Sequence, residues 1–321
     1  MTKVIGPLLS LSAKGSVAKT LTYQKRPAGD AAYQLTKPGD KNPFTPSWKQ
    51  RNQRGIIGLL TAHWQCMSQA ERDQWDQDAK DVNFVGRGYH YWLKKAQTNL
   101  LQYHGLVGYW SFNKGSGCQA LDLSGNNNHG TLKPTCPSNS PVWVDGQSKK
   151  FGKALKFDGD NDYILSDTSV LLSSTVTYEV WFKASKFKTY SAVVSNLKYS
   201  APAFGFNVIP HATGEIRVVA GDGVVVYKFH DFAVSKLTTG VWYHMAVTHD
   251  GDKFQLFING VYEGEWTFAL AQADLKFFFG RFGMLLDDHY FDGFADEIRI
   301  YDRVLGTDEI KKHYQMFRRF K

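Results

Sequence analysis

The sequence has little cysteine, little proline and no long apolar run. Three cysteines in 321 residues, Cys66, Cys118 and Cys136, exclude a densely disulfide-stapled scaffold and offer no zinc spacing. The odd count favours free thiols; pairing of Cys118 with Cys136, which flank one loop, is the alternative. No stretch approaches the roughly 18 apolar residues of a membrane-crossing helix. The opening MTKVIGPLLSLSAKG carries too short an apolar run for a secretory signal. Neither membrane insertion nor classical export is expected, and the chain reads as made in a cytoplasm. G-x-S-x-G is absent, as are a dense Lys/Arg run and any RNA-binding signature. Neither triad hydrolysis nor nucleic-acid binding is indicated.

Aromatic residues are abundant, at 15% with 9 Trp, 16 Tyr and 22 Phe. Such rings pack well on pleated surfaces and point to a β-rich fold. The net charge of +8 is uneven: residues 1–104 hold 15 Lys/Arg against 7 Asp/Glu, so residues 105–321 are balanced. That asymmetry predicts two units, a basic one at 1–104 and a neutral one at 105–321. A basic module suits an anionic or acidic partner surface.

The first third reads as a small α+β domain. Short strands are predicted at 8–12, 17–23 and AAYQLTK, the first two around Ala13-Lys14-Gly15-Ser16. The Pro-rich PGDKNPFTPS then breaks regular structure. Ser47 with Gln50, and Ser68 with Glu71, fit capping boxes. Ile56, Leu59, Leu60, His63 and Trp64 recur at helical spacing, as do Trp75 with Ala79 and Tyr89, Trp92, Ala96 and Leu100. His63 and the three tryptophans are expected in a helical core. The order GPLLSLSAKGSVAKTL, KP…NP, S-x-A-E-R-x-x-W and a late GY resembles a module of uncharacterised tailed-phage proteins encoded among virion genes.

From Gly105 the texture becomes short alternating runs between Gly/Asp/Asn turns: LVGYWSF, KALKFDG, TVTYEVWFKA, SAVVSN, FGFNVI, EIRVVA, VWYHMAVTHD, KFQLFING, LKFFFGR and DEIRIYD. Asp250-Gly251 and Asn259-Gly260 favour hairpins. Ten or more strands without long helices predict a mainly β, two-sheet antiparallel jelly-roll sandwich. YEVWF and HMAVTH are read as one face to the core and one outward. LVGYWSFNKGSG, DLSGNNNHGTL, GKALKFDGDNDYI, GVWYHMAVTHDG, LFINGV and FADEIRIYDRVLGTDEIKKHY occur in the order of a laminin-G-like (concanavalin A-like lectin/glucanase) domain. The resemblance spans nearly all of 105–321.

DLSGNNNHG, from Asp122 to Gly130, is read as a tightly wound structural loop, because Gly and Asn tolerate left-handed backbone. His129 has no nucleophile or carboxylate partner in a recognisable motif, and the turn is expected not to need its imidazole. The resemblance implies one structural calcium ion. The first and last strands of a jelly roll lie close, so Asp122 and Asp296 are the candidate ligands. Asp158, Asp160 and Asp162 alternate in FDGDNDY but lack an EF-hand's glycine and final glutamate, and read as turn acids. The E-x-D-x-x-E pattern of related glucanases is absent. Glu179 stands alone, and adjacent Asp296 and Glu297 are expected on opposite strand faces.

These readings combine into an expectation: a non-enzymatic, two-domain structural protein of a tailed-phage virion. Residues 1–104 would dock on other virion proteins. The jelly roll would project from the virion surface as a capsid decoration or fibre-like lobe and touch host-surface glycan, the chain forming a homo-oligomer on the particle. A tail or baseplate adhesin, and a carbohydrate-binding module of a cellular surface protein, are the alternatives. The terminal DEIKKHYQMFRRFK reads as a solvated helix whose acids lead and bases trail, matching its dipole; docking on a neighbouring subunit is its alternative.

Overall fold

The computed structural model describes residues 105–147 and 152–318, except 225–226, 235–236 and 284–288, together with 69–95, positions 57, 58, 61, 64 and 65, and strand residues 15–18, 21–25 and 31–35. The chain divides into two compact units, Met1–Pro46 and Ser47–Lys321.

In the first unit, β1 (Gly15–Ala18), β2 (Leu21–Lys25) and β3 (Ala31–Leu35) form one antiparallel sheet. The run 17–23 is not a single strand, since Ala18 closes β1, Leu21 opens β2, and the two pair. Alternation does not report where a strand folds back on itself. The strand predicted at 8–12, the capping side chains and His63 lie outside the described residues.

The second unit contains α1 (Gln69–Asp81) and α2 (Gly88–Lys95), preceded by helical positions at 57, 58, 61, 64 and 65. Ala79 and Trp92 are buried, and the Trp64 ring lies 5.4 Å from Tyr89 and 5.5 Å from Trp92. Trp75 meets Tyr91 at 6.1 Å. The helical spacing therefore marked a real aromatic cluster. The Gly88 amide donates to Asp76 at 2.5 Å and ties the start of α2 to α1.

Then come β4 (Leu106–Trp110), β5 (Gln119–Ala120), β6 (Gly130–Lys133), β7 (Val142–Asp145), β8 (Lys153–Asp158), β9 (Tyr163–Leu171), β10 (Thr175–Lys186) and β11 (Val194–Ser195). β12 (Phe206–Pro210), β13 (Ile216–Ala220), β14 (Lys228–Phe232), β15 (Tyr243–Asp250), β16 (Lys253–Ile258), β17 (Val261–Thr267), β18 (Asp274–Phe279), β19 (Asp292–Tyr301) and α3 (Thr307–Arg318) complete the chain. The strands build two antiparallel sheets. The first runs β17-β16-β15-β10-β19-β8-β7, with β4 also beside β19; the second runs β14-β13-β12-β11-β18-β9-β6-β5.

The core lies between them. Val176, Tyr178, Val180 and Phe182 of β10 and Ile298 and Ile300 of β19 belong to one buried cluster with Phe206, Val208, Phe277 and Phe279 of the second sheet. Tyr178 stacks on Phe206 at 4.1 Å. Trp110 is fully buried, 4.7 Å from Phe279, and its indole N–H donates to the Asn128 carbonyl at 2.9 Å. A Cβ at position 108 would stand 2.1 Å from that indole, so only glycine lets the ring fold back over the strand. Asn259 and Gly260 both have positive φ, as a two-residue hairpin between right-twisted strands requires.

Two expectations are corrected here. β10 is buried on nearly every residue, not on alternate ones, because α3 covers the side that faces away from the core. α3 is not a solvated helix: Ile310 and His313 are buried, and Ile310 packs with Leu106, Tyr109, Ala246, Phe257, Tyr301 and Leu305.

A third correction concerns sulfur. Cys118 and Cys136 form a disulfide across 18 residues, with Cα atoms 5.5 Å apart. Cys118 immediately precedes β5 and Cys136 closely follows β6. The antiparallel pairing of those strands sets Cys118 beside Leu132, whose amide donates to the Cys118 carbonyl at 3.0 Å, and the chain just beyond β6 brings Cys136 within reach. An odd cysteine count says only that one thiol is left over. By loop closure, losing this bond should cost about 3 kcal/mol. Urea denaturation of the Cys118→Ser, Cys136→Ser double variant should show that loss; a midpoint equal to wild type would mean the strand pairing alone suffices.

Candidate functional site

Asp122 is held by the protein itself. One carboxylate oxygen accepts the amides of Tyr109 (2.9 Å) and Ser124 (2.8 Å); the other accepts the Ser124 hydroxyl (2.8 Å) and the Asn128 amide (2.9 Å). Asn126 and Asn128 donate their side-chain amides to the Val107 carbonyl at 3.0 and 2.9 Å. Gly125 and Asn127 take φ of 95° and 60°. The stretch is thus a wound loop latched onto β4, as its composition suggested. His129 is not idle, however: its Nδ1 accepts the Asp122 amide at 3.0 Å and fixes the carboxylate's own backbone.

Asp296 does a different job. It is buried on β19 beside β10, where burial and then Glu297 push its carboxyl well up. Asp122 lies in the loop after β5 and Asp296 on β19, and neither belongs to a grouping of three or more metal-capable side chains among the described residues. Among the described residues, the grouping of three or more metal-capable side chains is His211, Glu215 and Asp231. Asp158 accepts the amides of Asp160, Asn161 and Asp162 at 2.9 to 3.2 Å, an acid-capped turn. Asp162 is pushed up to about 6, chiefly by burial.

The face of the first sheet turned from the core carries a sealed ionic cluster. Glu179 sits 2.9 Å from His313 of α3, 3.5 Å from His244 and 3.7 Å from Arg299. Arg299 donates to Glu297 at 2.6 Å, and the Tyr109 hydroxyl donates to the same oxygen at 2.7 Å. Burial alone would raise Glu179; His313, His244 and Arg299 outweigh it and hold the carboxyl below its ordinary range. Burial pushes His244 down to about 4. Asp296 and Glu297 do not alternate as expected. Ala295 and Ile298 both point into the core, and a bulge with Glu297 at φ 52° puts the two acids between them on the same side.

The opposite outer face, on the second sheet, is where side chains reach water. Thr131, Leu165, Phe278, Ser195, Asn207, Val219 and Phe229 are successive cross-strand partners from β6 to β14. Loops cover the middle of this row. The Ser195 hydroxyl accepts the amides of Leu197 (3.2 Å) and Gly283 (3.1 Å), and Leu197, Ile209, Val219 and Phe282 form a small apolar cluster under Tyr199 and Tyr227.

On this base stand exposed and half-buried rings. Tyr190, 48% exposed, lies 5.0 Å from His289 and 6.0 Å from Phe282. Tyr199 stacks on Tyr227 at 4.2 Å, and their hydroxyls are 2.5 Å apart. Burial and then that hydroxyl push Tyr199 up to about 12. Phe229, 54% exposed, lies 4.3 Å beneath the Arg217 guanidinium. Arg217 grips Asp231 through two bonds of 2.6 and 2.7 Å, which hold the Asp231 carboxyl below and the guanidinium above their ordinary values. Nearby, Thr213 donates to Glu215 at 2.7 Å and lies 2.9 Å from His211 Nδ1. Burial and then Arg217 lower His211, which favours the neutral ring. Sequence reading singled out none of these residues. They come from four separate stretches, and only their shared face unites them.

The two sheets, the helix-sealed face and the ring-lined face define a lectin-like jelly-roll domain. Residues 158–311 match the family model Laminin_G_3, the Concanavalin A-like lectin/glucanases superfamily. Domain 4 of AbnA, a GH43 extracellular arabinanase from Geobacillus stearothermophilus solved with arabinotriose, is similar at 23% identity and TM-score 0.53, over 65% of this chain and 98% of its own. The binding domain of Paraclostridial Mosquitocidal Protein 1 is similar at 16% identity and TM-score 0.53, over 68% of this chain and 53% of its own. The ligand binding domain of botulinum neurotoxin serotype D, solved with N-acetylneuraminic acid, is similar at 16% identity and TM-score 0.50, over 66% of this chain and 51% of its own. At these identities the likeness is one of fold. No curated protein matches the sequence.

Two measurements follow from this geometry. Asp122→Ala strands four donors, two of them backbone amides of the latch, and should cost about 3 kcal/mol or more. The loss should be the same in chelator and in calcium; a wild-type melting temperature that falls on chelation would instead make Asp122 a calcium ligand. His244 stays neutral in the fold down to about pH 4, whereas an unfolded chain protonates it near pH 6.5. The unfolded state therefore binds the extra proton in that window, and stability drops as pH falls through it, by about 3 kcal/mol in all. His244→Gln should flatten this part of the pH profile in chemical denaturation at pH 7, 5.5 and 4. Parallel profiles would show that His244 is not held neutral.

Proposed function

We propose that the jelly roll is a non-enzymatic glycan-binding lobe whose binding surface is the outer face of the second sheet, built on Tyr190, Tyr199, Tyr227, Phe229 and the Arg217–Asp231 pair. The observation that carries this reading is the set of exposed rings braced by their neighbours beside a bidentate ionic pair. A sugar ring offers C–H bonds to an aromatic face and hydroxyls to fixed donors and acceptors. Rings already locked by stacking lose little freedom on binding. A binder rather than a hydrolase is favoured because Glu179, Asp296 and Glu297 are buried, while Asp231 on the open face is already gripped by Arg217.

The wider role proposed is a structural protein on the surface of a tailed-phage particle, with residues 1–104 docked on other particle proteins and the lobe outward. It is supported by the excess of 15 Lys/Arg over 7 Asp/Glu in that segment, by its layout, and by a disulfide, a bond that persists in oxidising surroundings.

Full-length protein on a glycan array should bind at least one carbohydrate class. Combining Tyr190→Ala with Phe229→Ala should weaken that binding at least about tenfold. Tyr262→Ala, at an exposed ring on β17 of the other sheet, should leave it unchanged. Undiminished binding by the double variant would place the site elsewhere.

A further inference from the structure

Arg281 stands apart from the other arginines of the jelly roll. Among the described side chains, Arg217 pairs with Asp231, Arg299 with Glu297 and Arg303 with Glu309. Arg281 has no carboxylate partner among the described residues. It rests instead among rings, its guanidinium 5.0 Å from the centre of Tyr163, 5.5 Å from Tyr290 and 5.9 Å from Phe278. A backbone bridge between Arg281 and Tyr290 fixes the nest.

The nest belongs to the same outer face. Ile164, Phe277 and Phe279 point into the core, so Tyr163 and Phe278 point out. The arms that hold Arg281 and Tyr290 also hold Phe282 and His289, which flank Tyr190, and the Phe282 amide donates to the His289 carbonyl at 3.1 Å. On the far side of Tyr163, its cross-strand partner is Lys133. Leu132 faces the core, which turns Lys133 outward, and Lys133 too lacks a carboxylate partner among the described residues.

A guanidinium laid on aromatic rings keeps its charge while losing water from the covered side, and its orientation is set before any ligand arrives. What satisfies such a group best is an anion with two oxygens in one plane. The charge of Arg217 is already met by Asp231; among the described residues no carboxylate meets that of Arg281. We propose that the ligand of this face carries a carboxylate, as a uronic or nonulosonic acid residue does, and that Arg281 takes the carboxylate with Lys133 as the second cation. This rests on the glycan-binding reading and narrows it to acidic sugars.

The test uses the full-length protein on an array of uronate- and nonulosonate-containing glycans, each printed beside its carboxyl-reduced form. Wild type should prefer the acidic member of its pair by at least about tenfold, the scale of one charge-assisted contact. Arg281→Gln should bring the pair to near-equal binding without abolishing the neutral member, and Lys133→Gln should reduce the preference severalfold. Should Arg281→Gln fail to fold, Arg281→Lys serves: it keeps the charge but not the planar two-donor edge, and should also lower the preference severalfold. Equal binding of acidic and reduced forms by wild type overturns this inference and leaves the glycan reading standing. A preference unchanged in both Arg281→Lys and Lys133→Gln overturns the assignment of the cations. No binding to any glycan overturns both readings.

Discussion

A carboxylate sealed from water, Glu179, decides which face of this domain is available. On the central strand β10 a buried charge is costly unless it is met in place. His313 meets it from α3 and Arg299 from β19, with the His244 ring beside it on β15. Removing a single partner leaves charge stranded in an apolar layer. The helix and the sheet are therefore bound to one arrangement by electrostatics as well as by Ile310 and its apolar neighbours. With one outer face closed this way, the outer face of the second sheet is where exposed rings gather.

The same cluster shows how local backbone geometry serves a distant contact. The bulge at Glu297 interrupts the period-two alternation of β19 and delivers Glu297 to Arg299 and the Tyr109 hydroxyl. Tyr109 lies on β4, whose amide is in turn held by Asp122. The latch loop, the first strand, the last strand and α3 thus form one connected polar path. Asp122 acts within it as an internal acceptor. Four protein donors converge on its two oxygens.

The ring-lined face is built differently. Its centre is dry, with Ser195 and Asn207 fully buried under loops, while its rim carries exposed Tyr190 and Phe229. That division gives a rigid base and an accessible edge, the arrangement that holds aromatic anchors ready for a ligand at low entropic cost. Two guanidiniums lie on rings there, one paired with Asp231 and one, Arg281, without a carboxylate partner among the described residues.

Much of this architecture was legible in the chain alone. The predicted runs from LVGYWSF to DEIRIYD became strands because each has a side to bury, and alternation reports burial. β5, β6, β7, β9, β14 and β17 went unread as strands; β14 and β17 lie at sheet edges, with mostly exposed or half-buried residues and no apolar stripe to reveal them. DLSGNNNHG declared itself a wound loop through its Gly and Asn, whose backbone freedom is a local property. What the sequence by itself determined is what depends on residues near one another in the chain: strand periodicity, turns, charge asymmetry and the order of motifs. Tertiary structure alone decided the Cys118–Cys136 bond, the burial of α3, the shared side of Asp296 and Glu297, the acceptor role of His129 and the gathering of Tyr190, Tyr199, Tyr227, Phe229 and Arg281 on one face. The first two and the last depend on distances between residues separated in sequence, and the shared side of Asp296 and Glu297 and the His129 contact depend on a bulge and a loop path that no residue spacing encodes.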